Sequence, residues 1–255
     1  YYMDGSETVG VNGDGRPEIS GPATVTGTYP STSFSLGSQS DRYLGVIHVS
    51  GGTYIDIENI KVTNGAYGVR ITSSSYVTVT NVYTDDTESD GIQAYLSSYI
   101  TLTGNTVENA ARAYTKGGGA NDKTPACMSF TRTTNSTATG NTIFNSWGEG
   151  FGMFYNADDN TIEKNKFYNT MKGGPYLTCG NNNVIRYNLV FGTDDAEYGR
   201  YTAGGRAWMD YGIYQSDESS TNITSYGAST GNAWYGNMVA NCYGGYKFST
   251  SQTYA

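Results

Sequence analysis

A short asparagine-containing motif returns along most of the chain, and its spacing limits the folds that the chain can adopt. Three copies are "TLTGNTVEN" from Thr101, "TATGNTIFN" from Thr137 and "TIEKNKFYN" from Thr161. The asparagines that anchor the copies are Asn59, Asn81, Asn105, Asn141, Asn165, Asn188 and Asn237. Successive anchors are 22, 24, 36, 24, 23 and 49 residues apart, which gives a base period of 22 to 24 residues. We interpret the step of 36 as one period with an insertion, and the step of 49 as two periods with Asn222 near the missing copy.

Each period also contains segments in which apolar residues alternate with other residues. Examples of the first segment are "GVRI" from Gly68, "GIQA" from Gly91 and "FGMF" from Phe151. This alternation is typical of a strand with one buried face, and turn residues separate about three such strands in each period. Three short strands cannot bury their inner faces alone, whereas stacked coils can. The sequence therefore predicts an all-β chain that forms a right-handed parallel β-helix of about 8–10 coils. The Leu-x-x-Leu-x-Leu pattern of a leucine-rich repeat is absent.

The repeated asparagine has a structural explanation. Asparagine tolerates the left-handed backbone conformation that a bend between strands needs. When asparagines stack at one position per coil, each amide can donate to one neighbour and accept from the other. We therefore expect the anchor asparagines to form a ladder that belongs to the scaffold rather than to a functional site.

Composition and charge exclude several classes of partner. The net charge of -8 argues against nucleic acid, and it would repel an anionic polysaccharide unless a cation such as Ca²⁺ bridged the two. No apolar run is long enough to cross a membrane. The three cysteines lack CxxC spacing, which disfavours zinc. The chain opens with neither a leader nor a Met, which is expected of a processed secreted chain or of a piece of a longer one. Two glycosylation sequons begin at Asn135 and Asn222.

Two of the repeat segments resemble a known superfamily. "YIDIENIKVTNGAYGVRI" from Tyr54 and "YITLTGNTVENA" from Tyr99 are similar to the carbohydrate-binding and sugar hydrolase repeats of the pectate-lyase-like β-helix proteins. That group includes secreted polysaccharide lyases, mannuronan epimerases and surface proteins. The resemblance implies a polysaccharide partner and a secreted or cell-surface location, but one fold hosts many activities. The Gly-His-Gly motif of polygalacturonase-type hydrolases is absent, since the one histidine is His48 in "VIHVS".

Outward residues of the first strand in each coil are the first candidates for a site. The predicted register places on this line His48, Arg70, Gln93, Ser129, Met153, Tyr176, Tyr214 and Lys247. No acidic residue lies on the line, which makes a lyase-type cation site there doubtful. Acidic residues cluster instead in the turn "TDDTESDG", which contains Asp85, Asp86, Glu88 and Asp90. These carboxylates would either bind Ca²⁺ or form a solvated acidic turn.

Two insertions are predicted to flank a groove on this face. We treat residues 1–255 as a single β-helix domain, with an opening segment at 1–20 and insertions at about 111–125 and 194–210, both at the same corner of the coil. Insertions on one face of a repeat array often build its binding surface. The predicted ligand-binding residues are Tyr95, Trp147, Met153, Tyr155, Tyr176, Tyr198 and Trp208. The candidate catalytic residues are Glu149, Lys116 and Arg206, as an acid or base and as partners for a sugar carboxylate.

Two functions remain open from the sequence. The first is an extracellular protein that binds or acts on a polysaccharide in the manner of a polysaccharide lyase, whether or not it is an enzyme. The second is a structural or adhesive subunit of a surface filament, assembled by end-to-end stacking of β-helices on their unpaired strand edges.

Overall fold

The structure is a computed structural model that describes residues 8–11, 17–20, 45–112, 126–216 and 226–248. The regular secondary structure of these residues consists of β-strands only, which are numbered β1 to β25 in chain order. The strands are β1 (Thr8–Val11), β2 (Pro17–Ser20), β3 (Gly45–Ser50), β4 (Thr53–Glu58), β5 (Lys61–Thr63), β6 (Tyr67–Thr72), β7 (Ser75–Thr80), β8 (Tyr83–Asp85), β9 (Ile92–Tyr95), β10 (Ser98–Thr103), β11 (Thr106–Glu108), β12 (Ala126–Thr131), β13 (Thr137–Thr139), β14 (Thr142–Ser146), β15 (Glu149–Phe154), β16 (Thr161–Glu163), β17 (Lys166–Thr170), β18 (Pro175–Thr178), β19 (Val184–Arg186), β20 (Leu189–Phe191), β21 (Tyr201–Ala203), β22 (Arg206–Ser216), β23 (Ala233–Tyr235), β24 (Met238–Ala240) and β25 (Cys242–Phe248).

The strands stack into three sheets that run the length of the molecule. The first sheet has the order β3-β6-β9-β12-β15-β18-β22, with β25 paired to β22 and β21 folded back on the start of β22. The second has the order β4-β7-β10-β13-β16-β19-β23, and the third β1-β2-β5-β8-β11-β14-β17-β20-β24. In the described residues all pairs are parallel except β1 with β2 and β21 with β22. The predicted right-handed parallel β-helix is confirmed.

The interior is filled by alternate side chains from the strands, as the apolar alternation predicts. In the first sheet the inward residues Ile71, Ile92, Phe130 and Phe151 are fully buried. The rings of Phe130 and Phe151, on adjacent coils, meet edge to face with centroids 5.1 Å apart. Burying a side chain of this size contributes roughly 1.5–3 kcal/mol, so the stack of coils stabilises itself one layer at a time.

A buried asparagine ladder follows the second sheet. The Asn105 amide donates to Asn141 Oδ1 at 3.0 Å, and Asn141 donates to Asn165 Oδ1 at 2.9 Å. The ladder continues to Asn188 and then to Asn237, where the last rung measures 2.9 Å. The predicted ladder is therefore present over these five residues.

The first two anchors do not belong to this ladder, and here the sequence alignment was wrong by one residue. Asn59 and Asn81 are exposed and have φ of 56° and 52°. The Asn81 side-chain amide donates to Asn59 Oδ1 at 2.7 Å, outside the buried ladder. In later coils this left-handed position is held by residues such as Gly104 and Lys164, each directly before a ladder asparagine. The bend and the ladder thus occupy two adjacent positions. The first needs a residue that accepts a left-handed backbone, and the second needs a buried asparagine.

The longest step is one coil rather than two. Val184 of β19 pairs directly with Ala233 of β23, 49 residues later. The coil is lengthened by the hairpin of β21 and β22 and by residues that follow β22. The prediction of an additional coil near Asn222 is therefore wrong. Asn222 itself lies outside the described residues.

Candidate functional site

The outer face of the first sheet carries a continuous row of residues in register. Strand pairing aligns His48, Arg70, Gln93, Ser129, Gly152, Tyr176, Tyr214 and Lys247. Seven of these residues are those that the sequence places on the line. The eighth is a correction: Gly152 faces outward, and Met153 points into the core, where it is fully buried.

The register error at Met153 has a physical cause. A small residue points inward at a tight corner near the start of a first strand, as Gly91 does just before β9 and Gly150 does within β15. A Cβ added to Gly150 would lie 2.5 Å from the Phe167 ring. When the coils are aligned on this small residue rather than on Phe151, Gly152 and Met153 are assigned to the correct faces. A shift of one residue moves every side chain of a strand to the opposite face of the sheet.

A polar cluster occupies the early part of the row. Arg70 Nε donates to Gln93 Oε1 at 3.1 Å. Gln93 Nε2 lies 3.5 Å from both Asp90 Oδ2 and Ser129 Oγ. The Ser129 hydroxyl hydrogen-bonds the same Asp90 oxygen, and Ser89 Oγ donates to the other at 3.1 Å. Five residues from three adjacent coils are thereby joined into one network.

Asp90 is enclosed by this network. Its side chain is only 1% exposed. Burial raises the pKa of the Asp90 carboxyl to about 7, although the bonds from Ser129 and Ser89 and the charge of Arg70 favour the ionised form. The carboxyl therefore changes charge near neutral pH. The sequence placed Asp90 in an acidic turn, whereas the structure connects it to the outward row.

The other acids of that turn have separate partners. Asp85 accepts from the Asn109 amide at 2.9 Å, and Asp86 pairs with Arg112. Glu88 is half-buried, with its backbone N–H bonded to the Gly65 carbonyl at 2.9 Å. Within the described ranges, no three acidic, histidine or cysteine side chains come together to hold a metal ion. The four carboxylates do not supply the convergent oxygen ligands that calcium takes, and calcium binding by this protein stays a prediction.

The later part of the row is aromatic. A Cβ on Gly152 would lie 2.2 Å from Phe154 Cε2, so the Phe154 ring covers the space that a side chain would fill there. The rings of Phe154 and Tyr176 have centroids 5.7 Å apart, and those of Tyr176 and Tyr214 are 5.0 Å apart. The Lys247 ammonium lies 4.7 Å from the Tyr214 ring centroid. These rings form a strip that crosses three coils.

One arginine sits among tyrosines at the corner beside this strip. The Arg132 guanidinium lies 5.1 Å from the Tyr226 ring centroid and 5.9 Å from that of Tyr95. Tyr155, in the next coil, stacks on Tyr226 with centroids 5.1 Å apart. Arg132 Nε is buried and has no acceptor among the described residues. This corner places a cation between aromatic rings.

Three of the predicted ligand-binding residues lie on or beside this face, and two do not. Tyr95, Tyr155 and Tyr176 belong to it. Trp147 is 1% exposed and belongs to the largest fully buried side chains, as does Met153. Both therefore pack in the interior, and their assignment as ligand contacts was wrong.

The predicted residues of the second insertion lie in the β21–β22 hairpin or just before it. Arg206 pairs with Asp194 at 3.0 Å and covers the Trp208 ring at 4.8 Å. Tyr198 lies before β21, with its N–H bonded to the Asp195 carbonyl at 3.2 Å.

The three candidate catalytic residues do not form one described site. Glu149 is 7% exposed and occupies the strand position of Asp90 two coils later, roughly 10 Å away at the usual strand spacing. Tyr211 is the residue of β22 that lies level with Glu149. Arg206 lies five residues before Tyr211 on that strand, a separation of roughly 17 Å along the strand. Lys116 lies outside the described residues. A catalytic role for any of them stays a prediction.

Comparison with known proteins identifies the family. The sequence profile described as "Right handed beta helix region" matches residues 45–230, which is most of the chain. The chain belongs to the right-handed β-helix family.

Solved structures of other β-helix proteins are similar to this chain at low identity. An alginate lyase from Paenibacillus sp. str. FPU-7 has a TM-score of 0.44 and 13% identity, over 80% of this chain and 74% of that one. The A-module of the Azotobacter vinelandii mannuronan C-5 epimerase AlgE4 has a TM-score of 0.36 and 14% identity, over 79% and 65%. The Streptococcus pneumoniae surface protein and adhesin PfbA has a TM-score of 0.32 and 12% identity, over 79% and 78%. No curated protein matches the chain.

Several residues of this β-helix face escaped the sequence analysis. Arg132 and Phe154 lie just beyond or at the end of their strands, where the alternation gives no direction. Tyr226 follows residues that break the period.

The chain forms no helix, within the described residues, of the length and apolar character needed to cross a membrane.

Proposed function

We propose that this β-helix protein binds a polysaccharide along the outer face of its first sheet, and that it does so outside the cell. The observation that carries the proposal is the outward row itself, which passes in register from the polar cluster at Arg70 to the rings of Tyr176 and Tyr214.

The dimensions of the row favour a chain rather than a single sugar. From β6 to β22 the row crosses five strand spacings, which is about 24 Å. The strip offers the half-buried rings of Phe154 and Tyr214, which can pack against the apolar faces of sugars, and the Tyr176 ring between them is only 7% exposed. Lys247 adds a cation beside the Tyr214 ring and Arg132 adds one beside the Tyr226 ring, and their charge suits hydroxyl and carboxylate oxygens.

Binding is the conclusion, and cleavage remains a prediction. Elimination from a uronate would need a base and a group that neutralises the sugar carboxylate. Glu149 and Arg70 belong to strands of the same sheet, but neither is placed against a reacting atom. The secreted or cell-surface location belongs to the same proposal.

The test is a binding screen of the purified protein against neutral and acidic polysaccharides by calorimetry. Tyr155→Asn removes one ring of the corner and keeps the left-handed backbone, for which φ is 53°. The control is Tyr168→Ala, which removes a ring from the stacked row of the third sheet, where Tyr168 lies 4.8 Å from Phe144. We expect a loss of about tenfold for Tyr155→Asn, taking as a guide the roughly 1–3 kcal/mol of a nucleic-acid base stacked on an aromatic side chain, and little change for the control.

Two outcomes would count against the proposal. Equal binding by both variants would move the ligand to another surface. Failure to bind any polysaccharide, together with concentration-dependent filaments in electron microscopy, would favour the structural subunit, which stays a prediction.

A further inference from the structure

We infer that the sugar chain bound by this face is anionic, and that Arg132 and Lys247 each bind one of its charged groups, on either side of the aromatic strip. The inference rests on the proposed function and names the chemical class of the ligand. The charged groups are carboxylates or sulfates, both of which present several oxygen acceptors to a cation.

Arg132 has no carboxylate partner among the described residues. Its Nη1 lies 3.5 Å from the Tyr95 hydroxyl, and its buried Nε has no acceptor. The residue is partly exposed, so its outer N–H groups can be reached by a ligand. Most other arginines of the described ranges differ in this respect, because each pairs with a carboxylate; these are Arg112, Arg186, Arg200 and Arg206. An arginine that lacks such a partner stands out in a chain with a net charge of -8.

The neighbours of the Arg132 guanidinium are aromatic rings. The ring centroid of Tyr226 lies 5.1 Å from its central carbon, and that of Tyr95 lies 5.9 Å away. Rings beside a cation attract it and keep water from its sides, so an anion at the open N–H groups is screened less than in bulk water. A guanidinium also offers two parallel N–H donors that match the oxygens of a carboxylate or a sulfate.

Lys247 repeats this arrangement at the other end of the strip. Its ammonium lies 4.7 Å from the Tyr214 ring centroid and 4.9 Å from that of Tyr211. The side chain is exposed, and no carboxylate pairs with it in the part of the chain that the structure describes. A lysine ammonium binds an anion as a point charge without a fixed direction. Lys247 therefore provides a second, less directional contact for the same ligand.

The separation of the two cations requires an extended ligand. From β12, which ends just before Arg132, the sheet passes through β15, β18 and β22 to β25, which carries Lys247. Four strand spacings and three residues along the strand place the two backbones roughly 20 Å apart. The row positions between them hold Ser129, Gly152, Tyr176 and Tyr214, and none of these is acidic. A single sugar is too short to reach both cations, whereas a chain laid along the strip can.

The experiment measures binding of matched charged and uncharged polymers by calorimetry. One pair is polygalacturonate and the same polymer with its carboxylates reduced to alcohols, and the other is dextran sulfate and dextran. We expect the charged member of at least one pair to bind about tenfold or more tightly than its uncharged partner, and the pair that shows this identifies the anion. That preference should weaken as the salt concentration rises from roughly 0.05 to 0.5 M, because salt screens charges at an exposed site.

Two variants assign the preference to the two cations. Arg132→Gln and Lys247→Gln should each lower the affinity for the charged polymer about tenfold, as expected for a hydrogen bond to a charged group, and leave the uncharged polymer unaffected. Lys166→Gln is the matched control, since this exposed lysine lies 4.8 Å from the Tyr168 ring and 5.5 Å from the Phe191 ring on the third sheet. It should bind as the wild-type protein does.

A length series tests whether one chain reaches both cations. For oligomers of the preferred charged sugar, the affinity of the wild-type protein should rise steeply at the length that first spans the strip. That rise should be absent from Lys247→Gln, because only one cation then remains.

The failures are separable. If the wild-type protein binds none of the four polymers, the proposed function fails and this inference fails with it. Equal binding of charged and uncharged polymers would overturn the inference alone, and so would an equal loss in Lys166→Gln. The wild-type comparison, the salt series and Lys247→Gln keep the inference testable even if Arg132→Gln does not fold, which circular dichroism would show.

Discussion

The side-chain amide of Asn188 donates to Asn237 Oδ1 at 2.9 Å, although 49 residues separate the two asparagines. The rung between Asn165 and Asn188, which spans 23 residues, measures 3.1 Å. A coil can therefore double in length without changing the contact that closes it. The entropic cost of the longer loop is small, because each doubling of loop length costs only about 0.6 kcal/mol.

The ladder predicts that Asn165→Ala is destabilising. Asn165 donates to the Ala138 carbonyl and to Asn188 Oδ1, and accepts from the backbone and side chain of Asn141. Alanine leaves these buried groups without partners, which should cost roughly 3 kcal/mol in the free energy of unfolding. Urea denaturation measures the loss. Asn81→Gly is the control, because Asn81 is exposed and glycine suits its φ of 52°, and it should change stability by less than about 0.5 kcal/mol.

The corrected register predicts that Met153→Ala acts on stability. Met153 is fully buried, and truncation of a buried methionine costs about 2–5 kcal/mol. Met238 is 68% exposed, so Met238→Ala should have an effect within about 0.5 kcal/mol. Thermal denaturation of both variants distinguishes the two positions. Equal melting temperatures would mean that Met153 does face outward, as the sequence register placed it.

A close approach of backbones predicts that Gly173→Ala is severe. Gly173 has φ of 94°, and a Cβ there would lie 1.9 Å from the carbonyl oxygen of Tyr211. We expect a loss of more than about 3 kcal/mol, since the obstruction is backbone and cannot rotate away. Gly204, with φ of 60° and open space around its Cβ position, separates the effect of the dihedral from that of the clash. Gly204→Ala should cost about 1 kcal/mol, measured as the shift in urea midpoint.

Burial of Asp90 predicts that stability depends on pH. The folded-state pKa of about 7 lies above the usual aspartate value of 3.8, so this group favours folding fully at pH below about 4. That contribution is lost progressively as the pH rises from about 4 to 7, and the total is on the order of 4 kcal/mol. Relative to Asp90→Asn, the wild-type protein should therefore become less stable across this range, as followed by urea titrations at several pH values. A constant difference from pH 4 to pH 8 would show that Asp90 is ionised when folded.

Much of the fold could be predicted because it depends on local properties. The alternation in segments such as that from Gly68 specifies strands with one buried face, and the period of 22 to 24 residues specifies coils that stack. The aromatic residues Tyr95, Tyr155 and Tyr176 were placed on or beside the correct face for the same reason. The roles of Glu149 and Lys116 remain predictions.

The sequence by itself determined an all-β solenoid, its approximate number of coils and most of its outward row, since these follow from spacing along the chain. Only the tertiary structure decided that Met153 is buried, that Asn81 stands outside the ladder and that Asp90 meets Ser129. The physical reason is that contacts in a β-helix join residues one coil apart. Asp90 and Ser129 are 39 residues apart in sequence, and that separation includes an insertion that changes the count of residues without changing the neighbours.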